Sequence, residues 1–256
     1  MKGLIYREFY LSRKPAAYML LAYVLFTGMI TLVLISTYVG NLAKDANAAE
    51  TREYIYSQMY IYIGLIGFIG AVYGHNDLIE KDYKSKWQLY SYTLPVNEKK
   101  IIASKFIVRG SLLFAGFLLA VLGEVILSSA AKKPFSISHF KNILLILLLY
   151  GPICIGDIPL MLKMKSQAKA AALGFTVGGP LMAAAMYGVY KFVKYCIKEG
   201  RRLYPDLDSD AAMTKVAMPY ITKWRDIALV IAPFFFVAVI AICYFWAVKE
   251  LKRRRY

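Results

Sequence analysis

Residues 16–39 read AAYMLLAYVLFTGMITLVLISTYV, with no charged side chain anywhere in the run. At about 1.5 Å per helical residue, such a run crosses the ~30 Å hydrocarbon core of a bilayer, which needs ~20 residues. In lipid the backbone must satisfy its own polar groups, so the run is read as a helix. It is also longer than the ~7–15-residue core of a secretory signal, so it is read as a retained first span. Working outward, five further runs meet the same length: 54–73, 106–130, 142–162, 170–192 and 227–248. The expected fold is an all-α polytopic membrane protein of six transmembrane helices, forming one domain over residues 1–256. An even number of spans puts both termini on one side.

Composition supports this reading. The chain is 59% apolar and only 19% charged, where soluble domains carry about 25% charged residues. The net charge of +16 comes from 32 Lys and Arg against 16 Asp and Glu. In a chain of apolar runs this excess points to cationic loops against anionic headgroups and not to nucleic acid. The cationic residues also fix the orientation. Lys2, Arg7, Arg13 and Lys14 precede the first run. Lys81, Lys84, Lys86, Lys99, Lys100 and Lys105 follow the second, Lys163, Lys165 and Lys169 the fourth, and Lys249, Lys252 and Arg253–Arg255 the last. The side they share is expected to be cytoplasmic, so both termini lie there. The loop 193–226 runs against the rule. It is basic although external, with Glu199, Asp206, Asp208, Asp210 and Asp226 mixed in, and long loops follow the rule poorly. Pro205 and Pro219 are expected to break this loop, and Tyr195, Tyr204, Tyr220 and Trp224 to lay its short helices at the outer headgroups.

Chemical motifs are sparse. The sequence has no HExxH, no GxSxG and no GxxxxGK[ST]. Gly174, Gly178 and Gly179 lack a lysine placed to reach a phosphate. Cys154, Cys196 and Cys243 are far apart, so no disulfide framework or zinc site is expected, and His75 and His139 are read as interfacial polar residues. The chain is therefore expected to hold no catalytic residue, metal or cofactor of its own. Three charges fall inside runs, where each is costly. Arg109, near the cytoplasmic end of the third, is expected to snorkel out as an anchor. Glu124 and Asp157 are expected either to meet buried partners or to line a substrate path. Gly151, Pro152, Gly156 and Pro159 in the fourth run, and Gly178, Gly179 and Pro180 in the fifth, mark kinks. Gly64, Gly67 and Gly70 mark a close helix contact, within the chain or between copies.

The most informative cytosolic stretch is residues 76–110, NDLIEKDYKSKWQLYSYTLPVNEKKIIASKFIVRG. Read as a helix from Glu80, it puts Tyr83, Trp87, Tyr90 and Leu94 on one face and Lys81, Lys84 and Gln88 on another. Pro95 stops it, and Asn97 is placed to cap the helix that becomes the third span. Residues 1–15, beginning MKGLIYREFYLSRK, form a second candidate surface helix. Glu8 spoils its apolar face, because it falls between Leu4 and Ile5 on the helical wheel.

These features resemble the permease subunits of type-2 ATP-binding-cassette exporters. The likeness is carried by the basic-aromatic elbow 1–15, by EKDYKSKWQLYSYTLPVNEKKIIASKF, similar to the family's coupling helix, and by the LMLKMKSQAKAAALGF loop. The resemblance implies a permease that works with a second copy or paralogue and two cytosolic ATPase subunits, on which ATP and Mg sit. It implies a coupling segment in 80–100 and the residues that follow, made by Glu80, Lys81, Tyr83, Trp87, Tyr90, Leu94, Pro95 and Lys105. Small members of this kind in Gram-positive bacteria, among them the phenol-soluble-modulin exporters, imply an amphipathic or hydrophobic, peptide-like substrate. Two rivals stand beside this expectation: a non-transporting immunity or scaffold subunit, and an intramembrane enzyme using Glu124 and Asp157.

Overall fold

The structure is a computed structural model. It describes the backbone of residues 1–39, 48–87 and 96–255, with their side chains except those of residues 48, 71–78, 81, 83, 167, 177, 254 and 255. Among the described residues there are six long helices and no strand: α1 (Lys2–Val39), α2 (Ala48–Lys84), α3 (Glu98–Ala130), α4 (Ile137–Met164), α5 (Gln167–Leu203) and α6 (Ser209–Arg255).

Each expected span lies inside one of these helices. Among the described residues, α1, α3, α4 and α6 are each long and apolar enough to cross a bilayer alone, and α5 joins them if its two bent parts count as one span. The second expected span lies in α2, whose side chains are described only in part; residues 55–72 of it carry no charged side chain. This helix packs on α1 and α3 and also touches α4, so polar side chains along it meet protein before lipid. Sheltered positions of this kind are where a membrane helix can carry polar groups.

The helices form two groups. In one, α2 and α3 pack as an antiparallel pair with α1 laid against both; in the other, α4 packs on α6, and α5 on α6. Contacts of α3 with α4 and α6 join them. The α2–α3 pair is close because both helices present small residues. A methyl group on Gly116 would come 2.8 Å from the carbonyl oxygen of Gly67, and one on Gly64 would rest 3.5 Å from Ala120. The glycine spacing expected in the second span therefore serves a contact inside the chain.

Two helix boundaries differ from expectation, and one kink falls where it is expected. The elbow 1–15 is no separate helix, since α1 runs unbroken through Pro15. Glu8 and Ser12 are buried on one stripe of it, so the flaw in its apolar face is the face that meets α2 and α3. The segment 193–226, expected to be external, does not lie flat in pieces. Apart from the connection around Pro205, it consists of the end of α5 and the start of α6, with Pro219 inside α6. The two pack tightly: a methyl group on Gly200 would sit 2.9 Å from Ala212 backbone, and Phe192 meets Tyr220 edge-on at 6.1 Å. Cys196 and Ala212 are buried between them. At 1.5 Å per residue α6 is ~70 Å long, so a ~30 Å core leaves a helical hairpin standing out from the bundle. Finally, α5 bends by 43° between Ala168–Thr176 and Gly178–Leu203. The break follows Thr176, the residue four before Pro180, whose carbonyl meets the proline ring and loses its N–H partner.

Candidate functional site

At one end of the bundle, side chains from five helices converge on a cavity of about 20 Å³, including Leu4, Asp82, Lys105, Leu162 and Leu251. Residues near both termini thus meet at the same end. A space of that size suits about one water.

The cavity is walled by a cluster of buried charges. The Lys105 Nζ donates to Glu8 Oε1 and to Asp82 Oδ2, each at 2.8 Å. Arg7 pairs with Asp82 through NH2 and reaches Glu8 Oε1 through NH1 at 3.2 Å. Glu8, Asp82 and Lys105 are 4%, 3% and 4% exposed. Two cations and two anions balance, which is the condition for burying ions at tolerable cost. Each helix contributes for a local reason. Glu8 stands on the buried stripe of α1, one turn before Ser12, whose hydroxyl donates to the Glu8 carbonyl at 2.8 Å. Asp82 is in the last turn of α2. Lys105 is two turns into α3, whose start is fixed by Asn97 Oδ1 accepting from the Lys99 N–H at 3.0 Å. This is the cap expected from sequence.

The cluster extends to Trp87. Beyond α2 the backbone turns at Ser85–Lys86, with Lys86 at φ 57°, and becomes helical again at Trp87. The Arg7 guanidinium lies 4.0 Å over the Trp87 ring, a cation–π contact. One arginine therefore joins the ion cluster to the segment that follows the turn.

Several sequence expectations change here. Helix α2 carries Glu80 and Tyr83 on its final turns, and the turn at Lys86 separates them from Trp87, so no single helical face runs from Tyr83 to Trp87. Glu80 makes a surface pair with Lys84 at 2.9 Å. Lys105 is enclosed by the carboxylates of Glu8 and Asp82. The side chains of Lys81 and Tyr83, and all of Tyr90, Leu94 and Pro95, lie outside the described residues. Glu8 and Asp82 were not expected at the site at all. The sequence signal for Glu8 was its position on an otherwise apolar stripe. Asp82 carried none, because its partners are 75 and 23 residues away.

Glu124 and Asp157 are not brought together. Glu124, fully buried, lies near the other end of α3, where Oε1 accepts from the Tyr56 hydroxyl at 3.2 Å and sits 2.9 Å from His139 Nδ1. The His139 ring stacks on Tyr60 at 3.8 Å, and Asn142 donates to the Tyr60 hydroxyl at 2.6 Å. Asp157 acts electrostatically on Arg109, ~22 Å from Glu124 along α3. Arg109 itself does not snorkel. It is fully buried and donates to the Cys154 carbonyl at 2.6 Å, in a stretch of α4 that Pro159 loosens by removing a backbone donor. The acidic dyad of an intramembrane enzyme is therefore absent as a pair.

Residues 51–252 match the family described as ABC-2 family transporter protein. No curated protein and no solved structure matches the chain. The match spans most of the chain and includes the end of α2, Trp87 and Lys105. The family is a membrane transport component of ABC transporters, which implies association with an ATPase subunit. With its several apolar spans, this is a multi-pass protein of the cell membrane, and it belongs to the ABC-2 transporter family.

Proposed function

We propose that the chain is the membrane subunit of an ATP-driven exporter, with six spans and both termini in the cytoplasm. It pairs with a second copy or close relative and with two ATPase subunits that carry ATP and Mg. The segment beginning at Trp87 receives their movement. The observation that carries this reading is the buried cluster of Arg7, Glu8, Asp82 and Lys105, with Arg7 stacked on Trp87. A push on that segment cannot be absorbed locally, because shearing these pairs would leave charges buried and unmatched. It is passed to α1, α2 and α3 together. Pro152 and Pro159 inside α4 and the bend of α5 near Pro180 supply give in the other group of helices.

The substrate proposed is an amphipathic or hydrophobic, peptide-like molecule. From Leu181 to Tyr190 every residue of α5 is exposed, with Leu181, Met182, Met186, Tyr187 and Tyr190 among them. In the complex this stretch faces lipid, the second permease or substrate, and its aromatic rings and flexible thioethers suit varied apolar shapes.

The test is reconstitution with the partner ATPase in vesicles, reading nucleotide-dependent transport of a labelled amphipathic peptide. Transport should fall at least tenfold in Trp87→Ala, with the permease still folded. A complex that assembles and hydrolyses ATP but moves no peptide would favour the immunity or scaffold reading.

A further inference from the structure

The cationic excess of the external segment has no part in the coupling account, and the structure places it beside an open groove. Between α4, α5 and α6 lies an apolar cleft of about 520 Å³, whose lining includes Leu145, Gly188, Val189, Phe192, Trp224 and Arg225. That volume is in the ~300–1,000 Å³ range of ligand clefts. A methyl group added at Gly188 would meet nothing within 4 Å, so the cleft is space that a side chain could fill and this sequence leaves empty.

Its polarity is graded along the helices. Leu145, Gly188, Val189 and Phe192 lie within the spans expected from sequence, and Trp224 and Arg225 stand just before the last one. Arg225 donates to the Ser138 hydroxyl at 2.7 Å and to Asp226 at 3.4 Å, while Lys141 pairs with the same Asp226 at 3.1 Å. Two cations share one carboxylate, so the mouth carries one positive charge in excess. Arginine has five donors, and only some are used in these contacts. An apolar trough at membrane depth, ending in an aromatic ring and an unbalanced guanidinium, matches one acyl chain with an anionic headgroup.

We infer that this groove binds an anionic phospholipid, its tail along Leu145, Val189 and Phe192 and its phosphate at Arg225. The inference needs only the membrane-spanning bundle and is independent of the coupling role given to Trp87. An annular lipid held in this way ties α4 to the α5–α6 hairpin, and it accounts for a basic patch on the side where cationic residues are otherwise few.

The test uses the full chain carrying Trp87→Phe and Trp246→Phe, so that Trp224 is the remaining indole, in vesicles containing brominated-chain phosphatidylglycerol or brominated-chain phosphatidylcholine. Phosphatidylglycerol should quench Trp224 half-maximally at a mole fraction at least threefold lower. Arg225→Gln should abolish that preference, and Gly188→Leu, whose side chain enters open space, should remove it by filling the trough. Equal quenching by the two lipids, a preference that survives Gly188→Leu, or no quenching by either because a second copy of the chain covers the cleft, would each overturn the inference.

Discussion

Lys105 is the residue on which the cluster closes. Replacing it with methionine leaves Glu8 and Asp82 facing one cation instead of two in a buried place. The expected cost is about 3–5 kcal/mol, read as a fall in the thermal unfolding midpoint of the purified protein. Adding Glu8→Gln removes one anion as well and keeps the Arg7–Asp82 pair, so the double variant should recover more than half of the loss. At the other end of α3, Glu124→Ala leaves the Tyr56 hydroxyl and His139 without their acceptor, at about 1–3 kcal/mol. Glu124→Gln keeps an acceptor oxygen and should cost less in the same melt. At Lys86, φ 57° is a left-handed conformation that costs an L residue about 1–2 kcal/mol, so Lys86→Gly should raise the midpoint. Sequence exposed these residues unevenly. Glu124 and Asp157 stood out as charges in apolar runs, and Asn97 as a cap before one. Glu8 showed only as a flaw in a pattern and Asp82 as one charge among many, because what defines them is a meeting of three helices distant in sequence.

Among the elements, α2 and α3 meet backbone to backbone at Gly67 and Gly116. Gly116→Ala would put a methyl group 2.8 Å from the Gly67 carbonyl oxygen, a backbone atom that can yield only if a helix moves. Overpacking of this kind costs about 1–3 kcal/mol. Gly28→Ala on α1 is the control, since a methyl group there meets nothing within 4 Å; it should melt no lower than the unchanged protein. The positions of the helices were legible from apolar run length alone, and their ends were not. Pro219 is expected to break its loop, yet α6 continues through it, as α1 does through Pro15, because neighbouring helices hold the chain on both sides of each proline. Pro180 does bend its helix, on a stretch of α5 with few neighbours.

For the whole molecule, the account rests on the end of the bundle that holds Trp87 being cytoplasmic and covered by an ATPase. The native cysteines at 154, 196 and 243 are all buried, so a thiol placed at exposed Ser85, two residues before Trp87, reports on that end with little background. The deciding measurement is labelling of Ser85→Cys by a membrane-impermeant maleimide in intact cells and in inverted membrane vesicles, with and without the ATPase subunit. The account predicts labelling in inverted vesicles only, and protection once the ATPase is bound. Labelling in intact cells, or labelling in vesicles that the ATPase leaves unchanged, would contradict it.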